Sequence, residues 1–537
     1  MPGPFKVQSP SSPEGSPYLP PGPPEPLLFE QFDGINTQTT RPGVEDKQMA
    51  WCDGFMPISE RKLRTLYGVG TPITFSDSAT VSFFGFANIG ATPYCIVIHI
   101  DGSIHAVNTT TYAQSQIATA GTITNASRLN VGLTQYGSRY VMIVSAQANG
   151  YFIWDGTTFY KPGDAAPGGG TVPTGISGTA IEIYAGRVWI ANGASVTFSA
   201  PGSIVDFTSG SGGGNFTSSD SFLRVRYVQL LQTNGFLYLI ADSSINYISG
   251  VQTAGSPPIT TFTNQNADPE VGTPWPSTVS TFSRNILFAN AFGAHVSYGA
   301  AVNKISDMLD GIYNTVPNFG GLIPSSAKAI IFAKRVWILL LPIIDPITGQ
   351  QVNKLCMWDS KRWWTSPQEV NLIYIQNQEI DSVLTAWGTN GTSIYPLFQT
   401  PSTGFQKIAQ TKLWDKPGGY QFNKLASRLW GLLQYYDPRS PNLTVSIDNE
   451  LSSDSNPYTV NSPIAMTWTT ANGTTMNWTT QTGDPMVWQA SGIGIGAFGP
   501  IAIGQQGVLT GFTASTNCAD MAIVSMMIHD EIGQTKI

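Results

Sequence analysis

An all-β chain built around a β-propeller is predicted by three features of this sequence. Seven short apolar runs recur at a near-constant period, most are followed at hairpin distance by a second aromatic or β-branched stretch, and charged residues make up only 11% of the chain. The runs are 95–99 (CIVIH), 140–144 (YVMIV), 187–191 (RVWIA), 236–240 (FLYLI), 285–289 (NILFA), 335–339 (RVWIL) and 383–387 (VLTAW). Anchored on Ile96, Val141, Val188, Leu237, Ile286, Val336 and Leu384, they are spaced by 45, 47, 49, 49, 50 and 48 residues. That period is about the length of one four-stranded blade, so seven copies predict seven blades.

The copies are built alike. YVMIV passes through Asn149-Gly150 into Tyr151-Phe152-Ile153-Trp154, and Asp155-Gly156 then leads to Phe159-Tyr160. Asn-Gly tolerates the positive φ that a tight hairpin needs. CIVIH turns at Asp101-Gly102 into 103–107, and RVWIA turns near Asn192-Gly193 into 196–199. The competing reading is an unrelated series of hairpins in a sandwich. The fifth repeat is extended by Ile305, Met308, Leu309 and Ile312, whose spacing suits one short amphipathic helix. The sixth carries a longer hairpin with Asp345-Pro346 and Thr348-Gly349 at its tip.

Four segments follow from composition and period. Residues 1–30 form an extended arm, because the first 26 residues hold ten prolines and no apolar periodicity. Residues 31–90 are an entry segment leading into or packing on the propeller, with Trp51, Cys52 and the basic cluster Arg61, Lys62 and Arg64. Residues 91–405 are the repeats. After them the period stops, and 406–537 read as a β-sandwich-like domain with strands at 428–436, 443–447, 508–512 and 522–528. Inside it Met-x-Trp recurs at intervals of ten, ending on Trp468, Trp478 and Trp488. Core or subunit packing is the expected role of these tryptophans, with stacking on sugar rings as the alternative. Phe5, Tyr18 and Phe29 are the arm residues expected to anchor it if it is a strap on a neighbouring subunit or partner; the alternative is a floppy tail.

Charged residues are less than half the usual share of about 25%, which points to a surface that faces other protein, with a neutral β surface in a monomer as the alternative. The net charge of −7 argues against a protein that grips nucleic acid through its phosphates. A weakly negative wall can still surround DNA and let it slide. Cys52, Cys95, Cys356 and Cys518 are far apart and without ligand spacing, and read as buried free thiols. Neither a signal-peptide pattern nor an apolar stretch long enough for a membrane span is visible.

Chemistry has little framework here. His99, His105, His295 and His529 are isolated, although the first two flank one hairpin. No phosphate-binding loop, nucleophile elbow or dinucleotide fingerprint occurs in its required context. Asp155, Asp206, Asp242 and Asp359 sit at turn-like positions, where Asp is common for local hydrogen bonding. No catalytic residue, cofactor or metal is expected.

Several stretches together resemble a known family. They are Phe32-Asp33-Gly34-Ile35-Asn36-Thr37, Arg41-Pro42-Gly43-Val44, Met49-Ala50-Trp51-Cys52-Asp53-Gly54-Phe55 and 61–67 (RKLRTLY) near the start. Toward the end they are 411–414 (TKLW), 423–430 (NKLASRLW), 443–448 (LTVSID) and 522–531 (AIVSMMIHDE). The chain resembles the tail tubular B, or nozzle, proteins of short-tailed bacteriophages. That resemblance implies a non-enzymatic virion protein of the phage tail, made in the host bacterial cytoplasm, that forms a homo-hexameric ring around the DNA ejection channel. Its implied partners are the head-to-tail adaptor, tail fibres or spikes, and phage DNA passing without specific binding. The Pro-rich arm has no match in the family pattern. The alternatives are a carbohydrate- or receptor-binding propeller and a propeller-fold glycoside hydrolase.

Overall fold

The computed structural model describes residues 26–535 except 60–61, 76–78, 219–225, 300, 314–327, 381, 416–421, 437–441, 451–457, 462–477, 480–484 and 487–493. Six separate four-stranded antiparallel sheets carry residues 81–118, 131–160, 180–217, 227–268, 280–304 and 374–396, and are called blades 1 to 6 below. Blade 6 takes its outer strand, Ile73–Thr74, from the segment before blade 1, pairing Ile73 with Ile394 and Thr74 with Ser393. The two ends of the repeat series are thereby hydrogen-bonded to each other, and a closed ring results.

Each apolar run forms the second strand of its meander, as in Thr92–His99, Tyr140–Ser145, Arg187–Asn192 and Phe236–Ala241. Such a strand has neighbours on both sides in its own sheet and adjacent blades on both faces, so it reads as an unbroken apolar run. Each run is entered from an inner strand through a short hairpin. At Asn234-Gly235 both residues have positive φ, 53° and 80°, the geometry that matches the twist of the flanking strands. Gly102 closes the next hairpin of blade 1 at φ 82°, where a Cβ would lie 1.9 Å from the Ile123 carbonyl oxygen.

The count of blades is six, not the seven expected. The sixth run lies on Val336–Ile344, whose meander of Lys328–Phe332, Val336–Ile344, Gln351–Trp358 and Trp363–Ser366 does not end as a separate sheet. Beyond Trp363–Ser366 come Met49–Asp53, Lys407–Thr411, Gly511–Thr516, Asn442–Asp448 and Tyr458–Asn461, making nine strands in all. This is the spliced sheet. The splice is a parallel bridge between Asp53 and Thr365, a pairing that no hairpin period announces. A further sheet, the end sheet, orders Phe55–Ser59, Lys62–Thr65, Met521–Thr535, Phe422–Tyr435 and Gly494–Gly507, with Leu27–Phe29 also on Met521–Thr535.

One apolar core runs from the spliced meander into the end sheet, through Trp337, Leu339, Cys356, Trp51, Phe55, Phe512, Leu429 and Met526. The short helix expected in the fifth repeat is a helical turn at Asp307–Leu309 continued by Asp310–Tyr313, with Leu309 and Ile312 buried. It packs against the entry segment, where the Thr37 N–H donates to the Met308 carbonyl at 2.8 Å.

At the splice a lysine is held between two carboxylates. Lys354 Nζ lies 2.5 Å from Asp53 Oδ2 and 2.7 Å from Asp345 Oδ2, and all three side chains are under a tenth exposed. Asp345 sits at the tip of the long hairpin and also accepts the N–H groups of Ile347 and Thr348. Thr365 Oγ1 donates to the Cys52 carbonyl at 2.7 Å. Burial disfavours the Lys354 charge, but the two carboxylates outweigh it and raise its pKa above the ordinary value.

Replacing Lys354 by Met leaves two buried carboxylates facing each other, a loss of about 3–5 kcal/mol for a broken buried pair. Denaturant unfolding at pH 7 is expected to register that loss, and lowering the pH until the carboxylates protonate is expected to recover part of it. Ile73→Ala removes buried atoms at the ring closure and is expected to cost about 2–4 kcal/mol. Hydrogen exchange in that variant is expected to rise first in blade 6 rather than in blade 3.

Candidate interaction surfaces

Of the residues expected to meet a neighbour, Phe5, Tyr18, Trp468 and Trp488 lie outside the described residues. Trp478 is described through its backbone, which pairs with Met486 in a two-stranded ladder. Phe29 is placed inside the molecule, 3% exposed, with ring centroids 5.2 Å from Phe32, 6.1 Å from Trp414 and 5.8 Å from Phe512. It fills the chain's own core instead of reaching a partner. Its strand neighbour Leu28 faces outward at 54% exposed. A hydrophobic triplet such as Leu27-Leu28-Phe29 does not reveal which member turns inward until its pairing strand, which holds its partners Met526, Met527 and Ile528 near the far end of the chain, is known.

Two arginines of the entry segment fasten it to strands near the other end of the chain. Arg41 Nε donates to the Thr411 carbonyl at 2.7 Å, and its Nη2 pairs with Asp448. Arg64 forks onto Asp520 through Nε at 2.8 Å and Nη2 at 2.7 Å, with Tyr67 donating to the same carboxylate at 2.9 Å. Its guanidinium lies 4.0 Å from the Tyr436 ring centroid. Sequence reading saw the basic cluster but not its acidic partners, since nothing local couples Arg64 to Asp520.

The outer strand of blade 4, Ile259–Asp268, is the longest exposed edge of the propeller blades. Its first nine residues carry no charge, and its polar side chains are threonine, asparagine and glutamine. Arg187, 2% exposed, pins the hairpin behind it: Nη1 donates to the Ser199 and Gly212 carbonyls at 2.7 Å, and Nη2 donates to Thr260 Oγ1 at 2.9 Å. Natural sheets usually guard such edges with charge or proline, so an uncharged, ordered edge is suited to pairing with another chain. Large apolar side chains also stand out at hairpin tips, with Phe292 71%, Val383 63% and Tyr298 52% exposed.

The inner strands carry one perturbed carboxyl. Glu182, on Ala180–Tyr184, accepts the Ile183 N–H at 2.9 Å and is reached by Thr134 of blade 2 and the Gln232 N–H of blade 4. Burial pushes its pKa up to about 7 against these hydrogen bonds. His99 and His105 do meet, with ring centroids 4.9 Å apart and Phe75 beside both, and both are buried. No group of three or more metal-ligating side chains occurs among the described residues. Three of the four turn aspartates serve their own loops: Asp155 accepts from Thr157, Thr158 and Tyr160, Asp206 from Thr208, and Asp359 from Lys361 and Arg362, whereas burial pushes the Asp242 carboxyl up. All four cysteines are buried free thiols. No helix among the described residues is long and apolar enough to cross a membrane.

No family model matches the chain, and no curated protein matches it significantly. Among solved structures it is similar to BBS1N in complex with ARL6DN (TM-score 0.39, 8% identity, 62% of this chain and 97% of that one). It is also similar to YCF48 bound to D1 peptide (TM-score 0.37, 10% identity, 61% and 97%). A third is the extracellular domain of a one-component system from B. thetaiotaomicron (TM-score 0.36, 11% identity, 69% and 46%). Likenesses this loose carry no argument about function.

Glu182 sets a pH dependence. Its folded pKa lies above the unfolded value of about 4.3, so the folded state binds the extra proton and stability falls as pH rises from there to about 7. Glu182→Gln is expected to stabilise the protein by about 1–3 kcal/mol at pH 8 and by little at pH 4.5. Melting temperatures of both proteins across that range check it.

Proposed function

We propose that this chain is a non-enzymatic structural protein of the tail of a short-tailed bacteriophage, of the nozzle type. Several copies, six on the family pattern, form a ring around the path of the ejected DNA, and the propellers offer attachment for fibres or spikes. The head-to-tail adaptor is the neighbour on the other side, and the virion tail is its location.

One observation carries this reading. The stretches that resemble the nozzle family are distant in sequence yet converge on one structural unit. Met49–Asp53 pairs with Lys407–Thr411, Arg41 reaches Asp448, and Phe422–Tyr435 pairs with Met521–Thr535. A resemblance scattered over the chain thus marks the spliced and end sheets, the part that distinguishes this protein from a free-standing propeller. The net charge of −7 supports a conduit over a clamp, because phosphate finds little to hold it. The uncharged edge of blade 4 supports contacts between chains by strand pairing.

Negative-stain images and mass measurement of the purified protein, alone and mixed with the neighbouring tail proteins, test this. Rings of about six copies with an open centre are expected in at least one condition. Monodisperse monomers in both would overturn the reading.

A further inference from the structure

Several inner strands start at one face of the propeller, and a cavity of about 410 Å³ opens among their first residues. Blade 1 contributes Val81, the connection into blade 2 contributes Arg128, the spliced meander contributes Lys328, and Ile373 precedes blade 6. Ile100, from a hairpin of blade 1, adds to the apolar wall. Both charged groups in this lining are cations.

Among the described residues, no carboxylate compensates that charge. Arg128 is held by neutral acceptors, donating from Nη1 to the Val131 carbonyl at 3.1 Å and from Nη2 to Gln229 Oε1 of blade 4 at 2.8 Å. Lys328 is 2% exposed, and its Nζ has no hydrogen-bond partner among the described residues. The ammonium lies 5.4 Å from the centroid of the Tyr374 ring. A buried, unpaired ammonium is strongly disfavoured, and proteins relieve it by deprotonation or by a bound counter-charge. Burial, and then the Arg128 charge, hold the Lys328 pKa down at about 7. Tyr374, whose phenol burial pushes upward, stays neutral beside it.

We propose that this cavity binds a small organic acid, its carboxylate set between Lys328 and Arg128 and its carbon chain against Val81, Ile100 and Ile373. The carboxylate supplies a counter-charge that none of the described residues supplies, and the apolar wall distinguishes an organic acid from a bare oxyanion. This site is independent of ring assembly.

Calorimetric titration of the full chain tests it, with straight-chain monocarboxylates from acetate to hexanoate and with inorganic phosphate as separate probes. Affinity is expected to rise with each methylene, by about fourfold where the added group is fully buried. Above pH 7 the bound carboxylate pulls the Lys328 pKa upward, so binding at pH 8 is expected to take up a proton. That uptake appears as a heat that differs between buffers of different ionisation enthalpy, and it is expected to vanish at pH 6. Lys328→Met is expected to lose at least tenfold in affinity and the proton uptake with it, whereas Lys328→Arg keeps binding without the uptake. Absence of saturable binding by every carboxylate, binding of phosphate alone, or undiminished carboxylate binding by Lys328→Met would each overturn the proposal. Proton uptake in the unmodified protein is read without any variant, so misfolding of a variant does not leave the question open.

Discussion

The splice between the propeller and the second β unit depends on one buried cation. Lys354 lies in the third strand of a propeller meander, Asp345 at the tip of the hairpin before it, and Asp53 in a strand some 300 residues earlier that enters the sheet in parallel. Three charges out of water are unfavourable individually, and they persist because each satisfies the others. Parallel pairing by one bridge is weak on its own. The charge cluster fixes which strand takes that edge and in what register, and once Met49–Asp53 is seated, Lys407–Thr411 and the remaining strands have a template.

That splice also explains why the blades number six. The repeat at 328–366 has the period, the apolar run and the four strands of its neighbours. What sets it apart is its outer edge, which elsewhere ends in solvent and here continues into other strands. Period reports strand length plus turn length, and neither changes when an edge is extended. The all-β class and the propeller were legible for the same reason: a strand buried on both faces reads as a continuous apolar run wherever it occurs. The inner strands escaped, since 131–136 and 227–233 mix glycine, glutamine and threonine with their apolar residues.

The candidate surfaces were less legible, and the reasons are specific. Phe29 lies within an apolar triplet that invites a role in docking, but the strand it pairs with lies near the far end of the chain and turns its ring inward. Arg64 appears in a basic cluster, and its carboxylate partner is Asp520. Glu182 is one carboxyl in an unremarkable strand until the hydroxyl of Thr134 and the N–H of Gln232 are brought to it from two other blades. Local pattern fixes which residues form strands. It does not fix which strands meet.

The scarcity of charge acquires a sharper meaning from these placements. Part of the charge that the chain does carry is drawn into clamps within the fold: Arg41 with Asp448, Arg64 with Asp520, and Lys354 with two aspartates. Charge used inside a fold does not guard its edges, and the outer strand of blade 4 is left uncharged over nine residues. Such an edge is a liability for a solitary molecule and an asset for one that is covered by another chain. The same accounting singles out Arg128 and Lys328, cations with no carboxylate facing them in the described structure. Arg187 is buried among neutral acceptors too, but carbonyls and a threonine hydroxyl take up its donors, whereas Lys328 Nζ has no hydrogen-bond partner among the described residues, which leaves its place open to an acid supplied from outside.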